Sequence, residues 1–61
     1  MRVVELYKVL NDKIVIMIYK DGENIMWGNP SDIPVGILDC IVKSIRKSSY
    51  TTVADIDVVI E

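Results

Sequence analysis

The stretch Ile33–Lys47, IPVGILDCIVKSIRK, decides the fold, because two incompatible structures fit it. Ile33, Ile37, Leu38, Ile41 and Ile45 share one face at helical spacing, which would carry a single helix over residues 32–47. Against this, Gly36 costs backbone entropy in a helix, and the β-branched cluster Ile41, Val42 and Ile45 crowds the preceding turn. The segment CIVKSIRKS, residues 40–48, also reads as a strand with Ile41, Lys43 and Ile45 on one side. The residue pattern alone leaves helix and strand open.

Upstream the reading is firmer. Gly28-Asn29-Pro30 breaks the preceding element, Ser31 reads as an N-cap, and Asp32 and Pro34 suit a first helical turn. Before the break, Asp21-Gly22 is a two-residue turn of type I′, because both positions need positive φ. It joins the strand KIVIMIYK, residues 13–20, to the residues that follow, and a simple hairpin sets Lys20 opposite Glu23 as an ion pair. The same register puts Ile18 opposite Ile25, Met17 opposite Met26 and Ile16 opposite Trp27. Both faces of the first strand are apolar, Ile14, Ile16 and Ile18 on one and Val15, Met17 and Tyr19 on the other, so both want cover. Covering both from so short a chain points to a subunit interface or to a strand sandwiched within one subunit. Trp27 is expected in core or interface packing, with an exposed binding anchor as the other reading.

Residues 2–10, RVVELYKVL, set Val3, Leu6, Tyr7 and Leu10 on a helical face, although Val-rich segments also suit a first strand. Residues 53–60, VADIDVVI, alternate Asp55 and Asp57 with Ala54, Ile56 and Val58, the period of a strand with a solvated outer face. SSYTT, residues 48–52, then forms the loop, or the loop and strand start, between the last two strands.

Sixty-one residues make one small domain, which must be stabilised by a dense apolar core, by oligomerisation or by both. With Cys40 the sole cysteine there is no internal disulfide, and without histidine there is no Ser-His-Asp or Cys-His arrangement. A chain that is 51% hydrophobic and rich in Ile and Val argues against disorder. The longest apolar run, Ile14–Tyr19, is strand length and far short of the ~18 residues of a membrane span. No signal peptide is expected, and a cytoplasmic location follows. The net charge of −2 is unevenly spread: Asp21, Glu23, Asp32 and Asp39 lie in a stretch without cations, and Lys43, Arg46 and Lys47 in one without anions. This is not the footprint of a nucleic-acid binder, which would be basic overall.

The stretch GNPSDIPVGILDCIVKSI resembles a signature of small proteins encoded by phages and prophages of Gram-positive bacteria. The matching positions are Gly28, Ser31, Asp32, Ile33, Pro34, Leu38, Asp39, Val42, Ser44 and Ile45. The resemblance implies a short Ser-Asp-Ile-Pro helix followed by a strand, with a break near Asp39–Cys40. The expected fold is therefore α+β, a single domain over residues 1–61, in the order α-β-β-α-β-β with an antiparallel sheet. The alternative is β-β-β-α-β with one long helix over 32–47. The basic RKSSYTT segment departs from the pattern, where acidic turn residues are usual.

No catalytic residues, metal or cofactor are expected. Cys40 follows Asp39, whose charge would raise a thiol pKa, so it reads as a small apolar residue. Asp55 and Asp57 make a poor metal site without further oxygen ligands. One segment has ligand-like chemistry: Arg46 and Lys47 with Ser48, Ser49, Tyr50, Thr51 and Thr52, cations and hydroxyls suited to phosphate with an aromatic ring that can stack on a base. Its plainer reading is a solvated turn that keeps a sheet edge soluble. The leading expectation is a phage-type inhibitor of a host process such as antiphage defence, binding a host protein stoichiometrically. Its contacts would be Met17, Tyr19, Trp27 and Asp32, and the apolar excess favours a homo-oligomer, a dimer or higher. The first alternative sequesters an anionic nucleotide immune signal through Arg46–Thr51. A second is a small structural or regulatory phage protein.

Overall fold

A computed structural model describes all residues 1–61. One short helix and a four-stranded mixed sheet make an α+β fold that is mostly sheet. Helix α1 spans Val3–Val9, followed by strands β1, Ile16–Lys20, and β2, Glu23–Gly28. Two single 3-10 turns, Pro30–Asp32 and Val35–Ile37, lead to β3, Val42–Lys47, and β4, Ile56–Ile60. The sheet order is β2-β1-β4-β3. The expected antiparallel sheet is corrected at its centre, where β1 and β4 run parallel with Ile16 beside Ile56 and Ile18 beside Val58. The outer pairs, β1 with β2 and β3 with β4, are antiparallel.

The 33–47 stretch resolves through its backbone partners. The first amides of α1 have no partner within the helix. Val4 N–H donates to the Leu38 carbonyl at 2.9 Å and Val3 N–H to the Cys40 carbonyl at 2.9 Å. A helix through residues 38–40 would draw on those carbonyls for its own ladder, so docking of α1 competes with a long second helix. The segment instead closes 3-10 bonds, Ile37 N–H to Pro34 and Leu38 N–H to Val35, and leaves as β3. A second α-helix, short or long, is thus replaced by two 3-10 turns.

Ser31 is not the cap. Its N–H donates to Asp12 Oδ1 at 2.8 Å and its hydroxyl to Asp12 Oδ2 at 3.1 Å, tying the turn back to the end of α1. The cap position belongs to Asn29, with Pro30 as the first residue of the turn. Asp32 Oδ2 accepts the Asn29 N–H at 3.0 Å.

Asp21 and Gly22 do adopt positive φ, 52° and 80°. The hairpin register then departs from the simple one. Lys20 sits opposite Glu23 and Tyr19 opposite Asn24, but Ile18 faces Met26, Met17 faces Trp27 and Ile16 faces Gly28. The shift is a bulge at Asn24–Ile25. The Asn24 side-chain amide donates to the Ile18 carbonyl at 3.2 Å and to the Met26 carbonyl at 2.9 Å. No ion pair joins Lys20 to Glu23. The two ion pairs of the chain are Arg2–Asp39, at 4.0 Å between exposed side chains, and Arg46–Asp57 at 3.5 Å.

One sheet face packs against α1 and the 3-10 turns. Its core is Val3, Leu6, Ile16, Ile18, Met26, Ile33, Val58 and Ile60, with Cys40 and Val42 packed at its margin. Tyr7, expected on the inner side of the helix, is exposed. The molecule measures 28 × 24 × 16 Å. Layers packed face to face lie about 10 Å apart. The short axis therefore has room for one helical layer on the sheet, and the other side carries no helix and is reached by the β3–β4 loop.

Candidate functional site

Strand alternation sends a second set of side chains to that helix-free side. By register they are Ile25 and Trp27 from β2, Met17 and Tyr19 from β1, Asp57 and Val59 from β4, and Ser44 and Arg46 from β3. The bulge is what places the tryptophan. In the simple register Trp27 would stand beside Ile16 on the core side, whereas the extra residue puts Met26 in the core and Trp27 outside, 60% exposed. Three of the four expected protein contacts, Met17, Tyr19 and Trp27, are thus brought together on one face. Asp32 lies apart from them, folded back on the Asn29 amide.

The loop between β3 and β4 reaches onto this face. Trp27 Nε1–H donates to the Val53 carbonyl at 2.9 Å, pinning the loop to the sheet. Burial pushes the Tyr19 phenol above its usual value of 10.0, the Asp57 charge and Tyr50 raise it further, and Arg46 acts in the opposite direction. The Tyr19 hydroxyl contacts Met17 Sδ at 3.6 Å.

On the same face Asp57, beside Met17 on β1 and Arg46 on β3, corrects the expectation of a solvated outer face: it is 1% exposed. Arg46 Nε approaches its Oδ2 at 3.5 Å, while Oδ1 is buried with no hydrogen-bond partner. Asp55 does not share its site. It is exposed, and its Oδ2 accepts the Val15 N–H at 2.8 Å where β1 begins.

The expected anion-binding segment does not converge on one point. Arg46 leans on Asp57, and Lys47, one residue on, is directed to the opposite face of β3. Ser48 is buried, and its Oγ accepts the Tyr50 N–H at 3.1 Å, which shapes the turn rather than presenting a donor to solvent. Ser49, Tyr50, Thr51 and Thr52 remain exposed. Sequence reasoning missed the buried carboxylate. The one signal for it was an acid flanked by Ile56 and Val58 and set between aliphatic neighbours in the final strand.

A cleft of about 370 Å³ lies elsewhere, between the end of α1 and the first 3-10 turn, lined by Tyr7, Lys8, Leu10, Asp12, Pro30 and Ser31. Both oxygens of its one acid already accept from Ser31. No group of three or more Cys, Asp or Glu side chains converges as metal ligands would. No helix is long and apolar enough to cross a membrane. Comparison with protein-family models, with curated proteins and with solved structures finds no match to this chain.

Proposed function

We propose that the chain is a small binding protein that works by occupying the surface of another protein, in the manner of a phage inhibitor of a host process such as antiphage defence. The observation that carries this reading is the helix-free sheet face, where Trp27, Ile25 and Tyr50 are exposed beside half-buried Met17, Tyr19 and Val59. Aromatic and Met side chains are the residues enriched at protein interfaces, and a contiguous apolar patch on so small a chain wants a partner.

Sequestration of a nucleotide draws less support. Such a site needs Arg46, Lys47 and the hydroxyls aimed at one phosphate, and here one cation is paired, the other is turned away and Ser48 is enclosed.

The test is capture of partners from a bacterial host lysate on the immobilised chain, with Trp27→Ala as the matched control. A protein retained by the wild type and lost with Trp27→Ala is the expected outcome. Equal retention by both, or none by either, removes this face as the binding surface.

A further inference from the structure

We propose that Asp57 is the floor of a recognition site for a cationic side chain, a lysine ammonium or arginine guanidinium presented by the protein partner. The inference rests on the protein-binding reading above and names the chemistry of the partner's central contact.

A carboxylate offers about four lone-pair positions. In Asp57 a single, long approach from Arg46 engages Oδ2, and Oδ1 is buried with none. The Arg46 side chain is itself 59% exposed, so water competes for the guanidinium and it compensates the enclosed charge poorly. An acceptor left this way is uncommon in folded proteins, where buried polar atoms find partners. On the same face the neighbour of Asp57 on β1 is Met17, with Tyr19 two residues further along that strand and Trp27 beyond Met17 on β2. Ring faces attract cations, most strongly where water is excluded. A buried anionic acceptor on a face that also carries aromatic rings therefore suits a cation better than a neutral donor.

The loop over residues 48–54 reaches the same face. Trp27 Nε1–H holds it to β2 through the Val53 carbonyl and Ser48 N–H ties its start to the Asp55 carbonyl at 3.2 Å, while between its buried ends Ser48 and Ala54 the side chains of Tyr50 and Val53 are exposed. In this proposal the partner's cation reaches Oδ1 as the exposed middle of the loop shifts, on the side of the sheet away from the helix-side core.

The test uses the full chain and two peptide probes, acetyl-Gly-Arg-Gly-amide and acetyl-Gly-Lys-Gly-amide, with the norleucine peptide as uncharged control. Fluorescence of Trp27, the sole tryptophan, and backbone amide shifts of residues 48–57 report binding. The expected result is saturable binding of at least one cationic peptide, no response to norleucine, and a loss of about tenfold or more in Asp57→Asn. Arg46→Gln should bind the cationic peptides more tightly, because it removes the competing internal cation. A phosphate site on Arg46 predicts the reverse for an anionic ligand. An equal response to norleucine, unchanged affinity in Asp57→Asn, or no saturation by roughly 10 mM peptide overturns the proposal. If Asp57→Asn fails to fold, Arg46→Gln decides: tighter binding supports the site, and unchanged or weaker binding overturns it. Lysate capture separates the two readings. A partner lost with Trp27→Ala but fully retained by Asp57→Asn sinks the cation site and leaves the protein-binding face standing. An empty wild-type lane removes the protein-binding reading, and the peptide titration alone then judges Asp57.

Discussion

Gly28 lacks a side chain for a reason visible four residues on. A Cβ there would lie 2.9 Å from Asp32 Oδ2 and 3.3 Å from its Cβ, inside contact distance. The Asp32 carboxylate needs that space to accept the Asn29 amide, so the glycine and the acid work as one unit. Gly28→Ala is expected to cost about 1 kcal/mol by displacing this bond, and the double variant with Asp32→Ala should cost little more than Asp32→Ala alone. Urea midpoints of the four proteins check this, and full additivity would disprove the coupling. Tyr19 gives a second prediction at this scale. Its raised folded-state pKa means the folded protein resists ionisation, so its contribution is intact below pH 10 and is lost as pH rises above it. The wild type should therefore lose stability more steeply than Tyr19→Phe between pH 9 and about 11, measured by denaturation at fixed salt. Parallel curves would contradict it.

Among the elements, the β1–β2 hairpin shows how one side chain can set a face. Alternation along both strands is plain in the sequence, and so is the Asp21-Gly22 turn. The bulge is not, because an Asn that donates to two carbonyls looks the same in sequence as one pointing to solvent. Asn24→Ala removes both donated bonds and is expected to destabilise by about 1–2 kcal/mol. More tellingly, it should permit a register in which Trp27 turns inward, seen as a blue shift of tryptophan emission. Loss of stability with unchanged emission would mean that the bulge stands without Asn24. The stretch 33–47 was ambiguous for a related reason. Its helical and extended readings differ little in local preference, and the amides of α1, distant in sequence, take the carbonyls that settle the matter.

For the whole molecule, a thickness of 16 Å implies a single core layer with little redundancy. Ile18 is fully buried on a central strand of the sheet, within a core of eight buried side chains. Ile18→Ala should cost about 2–5 kcal/mol. At roughly 0.05–0.15 kcal/mol per residue, that loss takes most of the stability of a chain this short. The variant should be largely unfolded by circular dichroism, while Val35→Ala, at an 83% exposed position, should match the wild type. A folded Ile18→Ala would show that the core is more tolerant than its size implies. Homo-oligomerisation is a separate proposal, carried by the sheet edges: β2 begins beside Asp21 and Glu23, and β3 carries Lys43, Arg46 and Lys47. Contacts between an acidic and a basic edge are heterologous and screened by salt. Light scattering should show a mass above the monomer at low salt that falls at high salt, and a monomer mass throughout would rule such contacts out.

Local chemistry was enough to place the short N-terminal helix, the hairpin turn, the apolar strands and the absence of histidine or disulfide chemistry, since each depends on residues a few positions apart. It also brought Met17, Tyr19 and Trp27 forward as contacts, by their size and lack of cover. The parallel pairing of β1 with β4, the bulge that turns Trp27 outward and the enclosure of Asp57 depend on residues tens of positions away. Period-two alternation tells which side chains share a face, but not which of the two faces is covered. That is decided when α1 docks on one side of the sheet and leaves the other, with its buried carboxylate, to the β3–β4 loop.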